Sequence, residues 1–192
     1  MKRLSVFHVN LGAAGILVIA MISAGCCGDT SSTPMAASTG TVTVSISDPP
    51  SCENPNGNFQ HVYITVRSAQ AHIDPHASDG SAGWQEPAPQ LNSAPMQIDL
   101  FSAAQTNCVL AQLNSNSLPS GNYQQIRLLL VSNSPAAGDA VPSKNNCAGN
   151  GYNCVVLNDN TIHEIALSSQ ANTGLKIPPG QIVGGPISVA AG

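Results

Sequence analysis

Beyond residue 40 the hydrophobic period of this chain is two, which excludes an α-helical core. Thr41-Val42-Thr43-Val44-Ser45-Ile46-Ser47 alternates strictly, so Val42, Val44 and Ile46 share one face. Thr and Val also favour a pleated, half-buried surface. His61 to Arg67 alternates again, with Val62, Ile64 and Val66 inward and His61, Tyr63, Thr65 and Arg67 outward. Ala69, Ala71 and Ile73 continue the inner face. That predicts one long strand, or two with a bulge near Ser68. Met96, Ile98 and Leu100 form a third alternating set. Cys108 to Leu118 fits neither period and reads as a short helical turn or an irregular edge. Pro119-Ser120-Gly121-Asn122 is a turn. Tyr123 to Val131 follows as a strand, with Ile126, Leu128 and Leu130 on one face and Arg127 and Leu129 on the other. Cys154 to Leu157 and Thr161 to Leu167 read as a hairpin, and Gly174 to Ile177 as a short strand. Seven to eight short strands with no amphipathic helix after residue 40 predict an all-β chain, an antiparallel β-sandwich over residues 41–192.

The N-terminus reads differently. Lys2 and Arg3 are followed by a largely apolar run, Leu11 to Ile22, too short to span a bilayer. Small residues and a cysteine follow, Ser23-Ala24-Gly25-Cys26. This is a secretory signal layout, and it resembles a bacterial lipoprotein signal. The resemblance implies cleavage after residue 25 and acylation of Cys26; Ser23 stands where that family more often has Leu. The rival reading is an ordinary cleaved signal with a fortuitous cysteine. Residues 1–25 are thus expected to form a signal-peptide helix. Residues 26–40, rich in Ser, Thr and Ala, are expected to be a lipidated flexible tether.

Composition narrows the partners. Beyond the signal stand ten acidic and four basic residues, a formal −6. That argues against nucleic acid and anionic headgroups, which demand clustered Lys and Arg. Four cysteines lie beyond Cys26 and Cys27: Cys52, Cys108, Cys147 and Cys154. An even number in an exported chain predicts two disulfides. Cys147 and Cys154 bracket a turn-prone segment and are paired locally; Cys52–Cys108 follows by elimination. Zinc is the rival, but no CxxC occurs.

Several segments together resemble a known family. They are Gly40-Thr-Val-Thr-Val-Ser-Ile-Ser-Asp48-Pro, Val62-Tyr63-Ile64-Thr65-Val66-Arg67, Ile98-Asp99-Leu100, Leu118-Pro-Ser-Gly-Asn-Tyr-Gln-Gln-Ile-Arg127, and Thr173-Gly174-Leu175-Lys176. In this order they are similar to the bacterial domain of unknown function numbered four-three-eight-two, which occurs in exported lipoproteins. The resemblance implies a transthyretin-like (prealbumin-like) sandwich, an Ig-like one being the other expectation. It supplies no catalytic residues. Two departures stand out: a longer cysteine-bearing loop at 147–154, and a sheet expected to lack its last strand, with Ile187-Ser188-Val189 read as the turn before it.

No Gly-x-Ser-x-Gly, His-Glu-x-x-His or phosphate-cradling loop occurs. His72, Asp74 and His76 are the set a metal-dependent hydrolase would use, though their spacing equally suits solvated loop residues. Arg67 and Arg127 are expected to latch sheets or edges through Asp99 or Glu164. Trp84, Tyr63 and Tyr123 are the candidate sugar-stacking residues; packing is the bland alternative for each. The expectation is a non-enzymatic, lipid-anchored envelope protein, without cofactor or metal, facing the periplasm or the cell surface. Its β-sandwich would bind an envelope protein or a polysaccharide, or play a structural part.

Overall fold

The computed structural model describes residues 37–47, 58–101, 109–168, 173–177, 182 and 185–191. The signal peptide, Cys26, most of the tether and the Cys52–Cys108 pairing lie outside the described residues.

Ten strands run through the described residues. They are β1 (Thr39–Ser47), β2 (Phe59–His72), β3 (Met96–Asp99), β4 (Val109–Pro119), β5 (Gly121–Tyr123), β6 (Gln125–Leu130), β7 (Cys154–Leu157), β8 (Ile162–Glu164), β9 (Leu175–Ile177) and β10 (Ile187–Val189). All pair antiparallel. Six form one sheet, ordered β8-β7-β2-β6-β9 with β3 also on β2; β1–β4 and β10–β5 are two-stranded. The core lies between the six-stranded sheet and the two small ones. It includes Val42, Val44, Ile46, Val66, Ala69, Leu113, Leu118, Leu128, Leu130 and Val189.

β2 is the spine. It pairs with β7 through Phe59–Tyr63, with β3 through Tyr63–Val66 and with β6 through Val66–His72. It is one strand, with a register shift between Val66 and Ser68. An extra residue reverses side-chain parity. Val66 and Ala69 therefore both enter the core, three residues apart, while Arg67 between them is exposed. Ile73, expected on the inner face, lies beyond the strand and is 56% exposed.

Two segments differ from the sequence reading, and a third is decided between its two alternatives. Cys108 to Leu118 is not a helical turn but the irregular edge: from Val109 onward it is the full-length partner of β1 in a two-stranded sheet. Its pattern is hidden by register shifts opposite Val44/Ser45 and Ile46/Ser47, so Leu113 and Leu118, five apart, are both buried. Tyr123 to Val131 is two strands in different sheets. The chain crosses over at Gln124, whose N–H bonds His72 O (2.9 Å) and whose amide bonds Ile73 O (3.0 Å). Ile187–Val189 is itself a strand, paired with β5 and packed beside β1. Gly40 permits that approach: a Cβ there would collide with the Ala190 carbonyl and come within 2.8 Å of Val189 Cγ1.

The Ser132–Asn153 loop is fastened by its own chemistry. Cys147 and Cys154 form a disulfide, and both are fully buried. Asn153, also fully buried, substitutes for a strand residue between β6 and β7. Its Oδ1 accepts Thr65 N–H (2.8 Å) and its Nδ2 donates to Val131 O (2.8 Å). Thr65 Oγ1 donates to Tyr152 O (2.6 Å). Removing a buried partner exposes its mate to the desolvation penalty, so Asn153→Ala is expected to lower unfolding free energy by about 2–4 kcal/mol. Cys147→Ala/Cys154→Ala, which opens a short loop, is expected to cost about 2–3 kcal/mol. Urea unfolding followed by circular dichroism measures both. Wild-type midpoints in these variants would contradict the assignment.

Candidate functional site

The outer face of the six-stranded sheet gathers most of the chemistry-bearing side chains. At one end lies the loop after β2. His72 is buried with both ring nitrogens engaged: Asp74 N–H donates to Nδ1 (2.9 Å), which leaves Nε2–H to donate to Ala82 O (2.9 Å). Asp74 Oδ1 accepts His76 N–H (2.8 Å), a local turn. The His72–Asp74–His76 set is thus wired into the loop backbone. Among the described residues no three His, Cys, Asp or Glu side chains group as metal ligands.

Trp84 is half-buried at the same end. Its Nε1–H donates to Ser78 O (3.0 Å), and its ring lies 5.1 Å from that of His72. The Arg127 guanidinium sits 3.9 Å from the ring centroid, a cation–π contact on one face of the indole. Arg127 comes from β6, opposite Gln70, whose Oε1 accepts its Nε–H (2.6 Å). Asp79 completes the cluster, 3.5 Å from Arg127 Nη1 and 2.6 Å from Lys176 Nζ of β9. Burial pulls the Arg127 guanidinium below its ordinary pKa, while Asp79 and Glu86 push it back up. Arg127 therefore latches the 74–84 loop through Asp79, not through Asp99 or Glu164. Arg67 likewise uses a backbone partner, donating from Nε to Leu130 O (3.1 Å).

The three expected stacking residues are not brought together. Tyr123 is 2% exposed, in the core, with its hydroxyl on Pro119 O (2.9 Å). Tyr63 is half-buried on β2, nine residues before His72, about 30 Å along an extended strand.

At that far end the structure reveals a pair the sequence did not. His61 Nδ1 lies 2.7 Å from Asp99 Oδ2 across 38 residues. Asp99 Oδ1 accepts the N–H groups of Val62 (3.3 Å) and Phe101 (2.9 Å). The His61 ring stacks on Tyr63 with centroids 5.4 Å apart. Only the β2–β3 register, Tyr63 opposite Asp99, creates this arrangement. The outward alternation of His61 and Tyr63 was the one available signal.

Two outcomes follow. Burial, and secondarily the Asp99 charge, raises the Tyr63 phenol above its ordinary pKa of 10.0. A raised folded-state value means the neutral phenol stabilises the fold fully below pH 10, and this is lost as pH rises through the folded value. Asp99→Asn should move the Tyr63 transition toward lower pH in a phenolate absorbance titration, with Tyr63→Phe identifying it. An unmoved transition would remove the Asp99 contribution. Gly174 has φ +106° and lies against Arg127, whose Cδ would be 2.9 Å from an added Cβ. Gly174→Ala should therefore lower the melting temperature more than Gly138→Ala, which shares the positive φ but meets nothing.

No curated protein and no solved structure matches the chain. The family described as Domain of unknown function (DUF4382) matches over residues 39–192. That span contains all three sheets, the disulfide loop, the Arg127 cluster and the His61–Asp99 pair, and over it the chain belongs to the DUF4382 family.

Proposed function

We propose that this chain is a lipid-anchored cell-envelope protein whose β-sandwich is a non-catalytic binding or structural module. The observation that carries the reading is the buried Cys147–Cys154 disulfide, which ties the longest described loop to β7. Such a bond persists in oxidising compartments outside the cytosol. The signal-like segment ending at Cys26 supplies both the route there and an acylation point. Two or more acyl chains hold a protein at a membrane far more durably than one.

The use made of the candidate acid–base groups supports the non-catalytic part. His72 spends both nitrogens on the backbone, and Arg127 spends its guanidinium on Trp84, Gln70 and Asp79. Tyr123 is buried and one face of Trp84 is occupied, so these two are poor platforms for a sugar ring.

Metabolic labelling with an alkyne fatty acid tests the anchor. The wild type is expected to carry label and fractionate with membranes, and Cys26→Ser to lose both. An unlabelled, freely soluble wild type would overturn the proposal.

A further inference from the structure

The chain from Ile73 to Trp84 forms a strap over the outer face of the large sheet, closed at its base. Ala71 and Gln85 exchange backbone hydrogen bonds (2.9 Å each), so the two ends of the strap are pinned together. His72 fastens the strap from below. Its ring is 6% exposed, Nδ1 accepts Asp74 N–H (2.9 Å) and Nε2–H donates to Ala82 O (2.9 Å). Only the neutral ring can do this, because a second proton would set an N–H on Nδ1 against the Asp74 N–H. Gly83 lies so close that a Cβ there would be 3.1 Å from Nε2, so strap backbone and no anion covers that side of the ring. The charged groups around it are already committed. Asp74 Oδ1 accepts His76 N–H, Asp79 is held by Lys176 and Arg127, and Glu86 accepts from Ser68, Gln70 and Asn92. Arg127, Lys176 and a protonated His76 add only positive charge. Opposite His72 in the β2–β6 register, Gln125 is 5% exposed, and its Oε1 has no hydrogen-bond partner among the described residues. The closed strap thus keeps a buried acceptor dry, a cost that opening removes.

We propose that residues 73–84 are an acid-released flap. Proton uptake at His72 Nδ1 expels the Asp74 N–H, and the strap swings off the sheet about its pinned base while the sheets stay folded. The closed form binds one proton fewer at His72 than the open form, so falling pH favours opening. Opening lifts Trp84 off Arg127, whose guanidinium sits 3.9 Å from the indole centroid when the strap is closed. It bares Gln70, Gln125 and Arg127 on the sheet. The device goes beyond the binding-module reading and does not depend on the lipid anchor.

Trp84 is the only tryptophan in the chain, so its fluorescence reads the flap directly. The full, detergent-extracted protein is titrated from about pH 8 to about pH 5, the range in which imidazoles change charge, with far-ultraviolet circular dichroism followed in parallel. Trp84 emission is expected to move to longer wavelength and its quenching by acrylamide to rise, at constant dichroism. His72→Asn keeps an acceptor for Asp74 N–H and has no proton to gain, so its emission should not move with pH. His76→Asn and His61→Asn should keep the wild-type transition. Should His72→Asn fail to fold, imidazole nitrogen NMR of the wild type decides: Nδ1 must be bare at the alkaline end and gain its proton at the fluorescence midpoint. The proposal is overturned by a wild-type emission that does not move, by a transition that survives in His72→Asn or vanishes in either control, by loss of the sheet signal in the same step, or by an Nδ1 that is protonated throughout.

Discussion

Everything described in this domain hangs on β2. Its fourteen residues carry three other strands of the large sheet directly, β7, β3 and β6 in succession. A strand that long cannot keep one face inward across a twisted sandwich unless its parity can be reset. The extra residue at Arg67 does this. Below it Ile64 and Val66 face the core, above it Ala69 and Ala71 do. The small alanines fall where the sheet approaches the slot lined by Val42, Leu118, Ile187 and Val189. The same slip leaves Arg67 solvent-exposed, with its Nε donating to Leu130 O (3.1 Å).

The outer face shows a second constraint. Between the end of β6 and the start of β7, backbone groups of β2 would be left without strand partners. Val131 N–H reaches Thr65 O (2.9 Å), and the Asn153 side chain takes Thr65 N–H. Asn133 closes the network, its Oδ1 accepting from the N–H groups of Tyr152 (2.9 Å) and Asn153 (2.8 Å) and from Asn153 Nδ2 (2.9 Å). Buried amides of this kind are stabilising only when fully satisfied. This asparagine plug, with the adjacent disulfide, turns a polar loop into a fixed wall.

Strict alternation made β1, β3 and the β7–β8 hairpin legible, and the bulge near Ser68 could be read from the shifted alanines. β4 was not legible, because its bulges break the period that periodicity analysis relies on. The break at Gln124 was hidden because both flanking segments are apolar and only the destination sheet distinguishes them. The local disulfide was legible from spacing. The His61–Asp99 pair and the Asn153 plug were not, since each depends on the register of strands far apart in sequence. Asn133 and Asn153, read alone, look like turn formers. Trp84 and Arg127 were each noticed, but only the fold puts one on the other.

Loop and sheet are joined at Thr65, whose N–H is held by Asn153 Oδ1 and whose Oγ1 donates to Tyr152 O. Native-state hydrogen exchange by NMR compares the opening free energy of Thr65 with the global unfolding free energy from urea denaturation. Thr65 N–H, though bonded to a side chain, is expected to exchange only through global unfolding, with that same free energy. Exchange of Thr65 by local opening, at a rate typical of the loop amides around Ala136, would contradict it.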